Sequence, residues 1–129
     1  MKSVEEKIRK YLTERGWDNL RPADLAKSIS IEAAELLELF QWDNPSLEEV
    51  KQNSERLEKI KSELADVLIY ALDMSVLLGL DTKKVILSKL DAIQKKYPAD
   101  IIRNSANKEL GSEDVYLKIK QNYRRKGLR

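Results

Sequence analysis

Histidine and cysteine are both absent from this chain of 129 residues. Without thiols there is no disulfide framework and no thiolate to serve as nucleophile or zinc ligand. Without imidazole there is no Ser-His-Asp or Cys-His catalysis, no histidine-bearing zinc site and no Glu-x-x-His helix of the di-iron kind. Any metal chemistry must run on oxygen ligands. Turn formers and β-type aromatics are scarce as well, with 4 glycines, 3 prolines and 1 phenylalanine, whereas Ala, Leu, Glu and Lys abound. That balance predicts an all-α fold. No sign of charge dominates: 24 basic residues against 22 acidic leave a formal +2, so bulk charge marks neither a binder of nucleic-acid polymers nor an acidic shell. The opening MKSVEEKIRKYL is charged throughout instead of carrying an apolar signal core, and a cytoplasmic protein without a membrane partner is expected.

What is present reads as helices. A content of 42% hydrophobic residues supplies the core of one domain of common size. The first helix is predicted from about Val4 to Arg15, with Val4, Ile8, Tyr11 and Leu12 on one side and Gly16 as its stop. A second starts near Pro22, where a first turn tolerates proline, and runs to about Gln41 before the Asp43-Asn44-Pro45 turn. Ser46 and Glu49 have the form of a capping box opening a short third helix. A fourth spans roughly Ser54 to Leu78 before Gly79, and Asp81 can cap a fifth that ends at Tyr97. Beyond Pro98 the pattern weakens, and Ser112 to Lys126 reads either as a last helix or as a basic tail. Residues 1–110 are expected to form the functional domain and 111–129 an appendage.

Two helices carry acids where apolar surface should be. On the second, Ile29, Ala33, Leu36, Leu37 and Phe40 form an apolar stripe at about 100° per residue, with Glu32 at its edge, Glu35 a little further round and Glu38 farther out. The fourth is apolar almost all round over LADVLIYALDMSVLLGL, yet Glu63, Asp66, Tyr70 and Asp73 fall within roughly 80° of one another. A carboxylate withdrawn from water costs several kcal/mol unless a cation, hydrogen-bond donors or a proton answers it. Two helices each offering carboxylates at i and i+3 can cage a hard divalent ion in oxygen; Mg²⁺ keeps waters that phosphate oxygens replace. A single Glu-x-x-Glu is usually surface pairing with nearby lysines. A second pair on an apolar helix is harder to explain that way.

The segments SIEAAELLELFQW, ELADVLIYALDMS and LSKLDAIQKKYP resemble the all-α nucleoside triphosphate pyrophosphohydrolases, also called MazG-like, and among them the small dCTP-pyrophosphatase type. The resemblance covers about residues 15 to 98. It implies that Glu32, Glu35, Glu63 and Asp66 are the catalytic acids and hold Mg²⁺, with Mn²⁺ as a substitute, against a triphosphate cleaved between its α and β phosphates. It further implies that Trp17, Trp42 and Tyr70 line the base pocket, as aromatic faces that stack on any base would, and that Lys89 answers the phosphates. Tyr70 reads nearly as well as a core aromatic. Two positions depart from the family pattern: Ile93 stands where an asparagine follows the lysine, and WDNLRPADL lacks the histidine commonly found after the first tryptophan. Both bear on substrate contacts, leaving the identity of the base open. The competing reading is a non-catalytic helical module that oligomerises or senses nucleotides.

The fourth helix also predicts an oligomer. A helix apolar on every side must be covered on every side, and the other helices of one chain offer too little cover. A bundle of about five helices whose four-helix core is completed by a second copy, as a dimer or tetramer, is expected.

Overall fold

The computed structural model describes residues 1–106 and 111–128, and all regular structure among them is helical. The elements are α1 (Lys2–Glu14), α2 (Pro22–Glu38), α3 (Leu47–Gln52), α4 (Ser54–Leu77), α5 (Thr82–Lys96), α6 (Ala99–Ala106) and α7 (Gly111–Arg125). The all-α class expected from composition is what the chain adopts. Among the described residues there are seven helices, the five expected up to Tyr97 and two more in the weakly patterned stretch after Pro98.

The chain divides into two compact units, Met1–Thr82 and Lys83–Arg129. In the first, α4 is the central element, with α1, α2 and α3 packed on it. Ile8 and Leu12 of α1 close on Val76 of α4, with Leu72 and Leu77 alongside; Leu25 is the buried residue of α2. Arg9 donates from α1 to the Val76 carbonyl at 3.4 Å, fastening the two helices at the far end of α4. In the second unit α6 packs on α7, and the Tyr97 and Tyr116 rings stack at 4.9 Å.

Local chemistry explains the boundaries. Gly16 and Gly79 take φ of 67° and 69°, the left-handed region that favours glycine. Beyond each, the chain folds back in the same way. Trp17 N–H donates to the Leu12 carbonyl and Gly16 N–H to Thr13; Leu80 N–H donates to Ser75 and Gly79 N–H to Val76. This paired pattern satisfies the last carbonyls of α1 and α4. Ser46 Oγ accepts from Glu49 N–H at 3.2 Å, and Asn53 Oδ1 accepts from Arg56 N–H at 3.1 Å, capping α3 and α4. The second helix ends at Glu38, short of Gln41. Leu39, Phe40 and Gln41 tighten into i→i−3 bonds, and the Leu39 carbonyl is taken at 2.7 Å by Arg56 Nη2.

Candidate metal centre and adjoining cavity

The packing of α2 against α4 brings the two acidic pairs together. Single carboxylate oxygens of Glu32, Glu63 and Asp66 all lie within 4.8 Å of one another. All three residues are half-buried, as is Glu35, whereas Glu38 is exposed. Spacing by three along each helix keeps both members of a pair on the shared face.

The electrostatics of the cluster are those of uncompensated like charge. The Glu32 carboxyl is held above the usual range, chiefly by its hydrogen bond to Glu35, then by burial and by the negative charge of Glu35, Asp66 and Glu63. Glu63 is raised first by burial, then by Glu35 and Asp66. Glu35 thus belongs to the same group through its influence on both. Glu32 Oε2 and Glu63 Oε2 are buried without a hydrogen-bond partner. Among the described residues, every ion pair of unit one lies elsewhere, and no lysine or arginine meets any of the four acids. Surface pairing with lysines, the ordinary explanation of a Glu-x-x-Glu, therefore does not apply. An oxygen-only set of three or four carboxylates with orphaned buried oxygens suits a hard divalent cation.

Beside this cluster α1, α2, α4 and the α1–α2 connection border a half-open cavity of about 700 Å³. Asp66 reaches its wall, as do Trp17, Tyr70, Tyr11, Leu25, Ser28 and Asp73. Trp17 is held edge-on to Tyr11 at 5.8 Å directly after the Gly16 turn, and the Arg15 guanidinium sits 4.1 Å over the Tyr11 ring. Two of the three aromatics assigned to a base pocket thus line one space next to the acids. Trp42 does not line it; the indole is 88% exposed, on the loop after α2. That loop is clamped by Arg56, which grips Asp43 with two 2.7 Å bonds and stacks over Phe40. The clamp lowers the Asp43 carboxyl below its usual range. Lys89 lies on α5 in the second unit.

Three cavity or loop residues were not assigned by sequence reasoning. Tyr11 was visible only as one member of the apolar face of α1. Asp73 stood out as an acid on the stripe of α4 without a role. Arg56 gave no signal, because a lone arginine in a helix's first turn does not reveal a partner at residue 43.

The chain is 34% identical over 101 residues to dCTP pyrophosphatase 1 of Rattus norvegicus and of Homo sapiens, an alignment covering 76% of this chain. It spans 59% of the length of those relatives. Among solved structures, a pyrophosphatase from Archaeoglobus fulgidus superposes with a TM-score of 0.66 at 37% identity, over 76% of this chain and 92% of that one. The sequence model of the MazG-like family matches residues 27–110, which include all four acids. The chain belongs to the MazG-like family.

Proposed function

We propose that this protein is a Mg²⁺-dependent nucleoside triphosphate pyrophosphohydrolase that converts a (deoxy)nucleoside triphosphate to its monophosphate and pyrophosphate, a cytoplasmic activity that clears the nucleotide pool. The observation that carries the reading is the convergence of Glu32, Glu63 and Asp66 within 4.8 Å, with two buried oxygens that no group among the described residues answers. Family membership and the activity named for the dCTP pyrophosphatase relatives point the same way.

Glu32, Glu35, Glu63 and Asp66 would hold the ion, Mn²⁺ substituting. Once bound, it supplies positive charge that offsets the repulsion between the phosphate oxygens and an incoming nucleophile. The carboxylates themselves do the rest. A carboxylate of the cluster with an oxygen left free by the ion would take a proton from the attacking water. Trp17 and Tyr70 would hold the base in the adjoining cavity and Lys89 would bind phosphate. Residues 1–110 would carry the activity, with 111–129 an appendage. No described helix is long and apolar enough to cross a membrane.

A homodimer or homotetramer completes the proposal. Only Ile8, Leu12, Leu25 and Val76 are buried apolar residues among those described, while Leu64, Leu68 and Leu78 of the α4 region are exposed. At about 100° per residue, Leu64 and Leu68 lie across the helix from the acids. A second copy set against that face would cover it. Exposed on its clamped loop, Trp42 would stack on the base held by the neighbouring chain.

The test is a panel of nucleoside triphosphates incubated with Mg²⁺ or with chelator. Pyrophosphate released only with Mg²⁺ supports the reading; orthophosphate release, or tight nucleotide binding without turnover, would overturn it. Within that assay Trp17→Ala should raise KM about fivefold or more with a smaller change in kcat, because stacking worth about 1 to 3 kcal/mol holds ground state and transition state alike. A pure kcat defect would remove Trp17 from the base pocket.

A further inference from the structure

The overall charge of +2 conceals two opposite halves. Residues 83–129, the second unit, hold 13 basic residues against 5 acidic, a formal +8, whereas residues 1–82 hold 11 against 17, a formal −6. A near-neutral sum argues against a nucleic-acid polymer for the chain as a whole. It does not argue so for the second unit, because charge asymmetry of this size points the basic half toward a polyanion.

Basic residues spread over a surface are ordinarily just solvated, so their convergence decides the matter. Among the described residues, Lys96 at the end of α5 and Lys120 and Arg124 of α7 border one half-open cavity of about 650 Å³, with Gly127. Cations in a last helical turn meet the negative end of the helix dipole, which explains Lys96 and Arg124. Lys120 lies more than a turn before the end of α7 and has no such explanation. Both lysines are half-buried. Lys96 Nζ sits 5.2 Å from the centre of the Tyr97 ring and 4.8 Å from that of Tyr123, and Lys120 Nζ sits 5.6 Å from that of Tyr116. Cation–π contact holds an ammonium group in place without neutralising it. No described ion pair involves Lys96, Lys120 or Arg124. The Tyr97 hydroxyl feels the same gathering: burial and then Tyr116 raise it, while Lys120 and Arg124 pull the other way. Like charges drawn to one cavity repel, and an anion entering it removes that repulsion.

The pattern along α7 narrows the kind of anion. At about 100° per residue and 1.5 Å of rise, Tyr116, Lys120, Tyr123 and Arg124 share one face over roughly 12 Å, more than a single phosphate spans. Tyrosine alternates with cation along that length, and Tyr116 is 42% exposed, so ring surface stays open beside the charges. A basic groove interleaved with aromatic rings suits a single strand, whose phosphates meet the cations and whose bases lie on rings whatever their sequence. A duplex keeps its bases inside and offers the rings nothing. We propose that α7 and the end of α5 form a binding site for single-stranded nucleic acid, in which Lys96, Lys120 and Arg124 hold the phosphates and the neighbouring tyrosines take the bases. The family's sequence model ends at residue 110, before α7.

The experiment follows fluorescence anisotropy of a fluorescein-labelled oligothymidine, with chelator present so that the acidic cluster holds no metal and the hydrolase reading plays no part. The wild type should bind, with affinity falling steeply between about 50 and 200 mM salt. The triple variant Lys96→Gln, Lys120→Gln, Arg124→Gln, folded by circular dichroism, should bind at least tenfold more weakly at the lower salt. Its log–log salt slope should be flatter by about 2, since each phosphate contact to a single strand contributes about 0.7. Arg124→Gln alone, at an exposed position, keeps the test sound if the triple variant does not fold, and should flatten the slope by about 0.7. Lys83→Gln, Arg103→Gln, Lys118→Gln removes as much charge from the same unit away from the cavity and should weaken binding threefold or less. Equal losses in the two triple variants would mean that net charge alone attracts the strand, and would overturn the site. So would absent binding, tighter binding of the duplex, or tighter binding of inorganic polyphosphate or of phosphatidylserine vesicles than of the oligothymidine.

Discussion

Asp66→Asn loses Mg²⁺-dependent pyrophosphate release by a hundredfold or more and keeps its helical fold. A carboxylate that helps hold a divalent cation against phosphate contributes several kcal/mol of charge stabilisation, and each 1.4 kcal/mol is about tenfold in rate. The amide is the same size, and the apolar cluster that joins α1 to α4, Ile8, Leu12 and Val76, does not include that group. Without metal, the variant should be as stable as the wild type or more so, because one of the charges that crowd Glu32 and Glu63 is gone. The same crowding gives the metal-free wild type a pH dependence of known sign. Glu32 and Glu63 are raised above 4.5, and Asp73 above 3.8. The folded state therefore binds protons more tightly than the unfolded chain, and the contribution of these groups falls as pH rises through and above that range. Mg²⁺ should restore the lost stability near neutrality. Thermal melts of both proteins with Mg²⁺ and with chelator check the two halves together. Turnover by Asp66→Asn at the wild-type rate would remove it from the cage.

The second large effect is on assembly. Leu68 is 53% exposed and Leu64 43% exposed on a helix whose sequence is apolar nearly all round. Leu68→Glu places a charge in the middle of the face that a second copy would cover, and an unpaired charge there outweighs the apolar burial it replaces. By light scattering the wild type should run as a dimer or tetramer at micromolar concentration and Leu68→Glu at the monomer mass of 14.9 kDa. Activity should fall with the mass if Trp42, 88% exposed on its own chain, completes a neighbour's base pocket. A wild type that is monomeric and fully active would refute both the interface and that role for Trp42.

Much of the fold and of the site is legible in the sequence. Helix stops at Gly16 and Gly79, the Ser46 cap and the Asp43-Asn44-Pro45 break depend on a few neighbouring residues, and local chemistry determines them. The meeting of Glu32 with Glu63 and Asp66 could be anticipated because i, i+3 spacing fixes a face and a short connection turns the second helix back on the first. What the sequence hid depends on contacts between distant residues. The Arg56 clamp on Asp43 and the Leu39 carbonyl shortened α2 by three residues relative to the expected end. The cavity needs Tyr11, Trp17 and Tyr70 from two helices and a turn, and no periodicity within one helix reports that. Asp73 could be seen as an acid among aliphatic neighbours, but whether a partner answered it depends on every element around it. The tail after Pro98 was ambiguous because its charge and short apolar spacing suit a helix or a solvated strand of chain equally; it is helical over Ala99–Ala106 and Gly111–Arg125.

The most direct measurement is of the cage itself: Mn²⁺ binding followed by electron paramagnetic resonance, with an α,β-methylene nucleoside triphosphate present, for the wild type, Glu63→Gln and Asp66→Asn. The wild type should bind Mn²⁺ and be displaced competitively by Mg²⁺, while each variant, folded by circular dichroism, binds at least tenfold more weakly. Equal Mn²⁺ affinity in all three folded proteins would contradict the assignment of Glu32, Glu35, Glu63 and Asp66 as a metal centre.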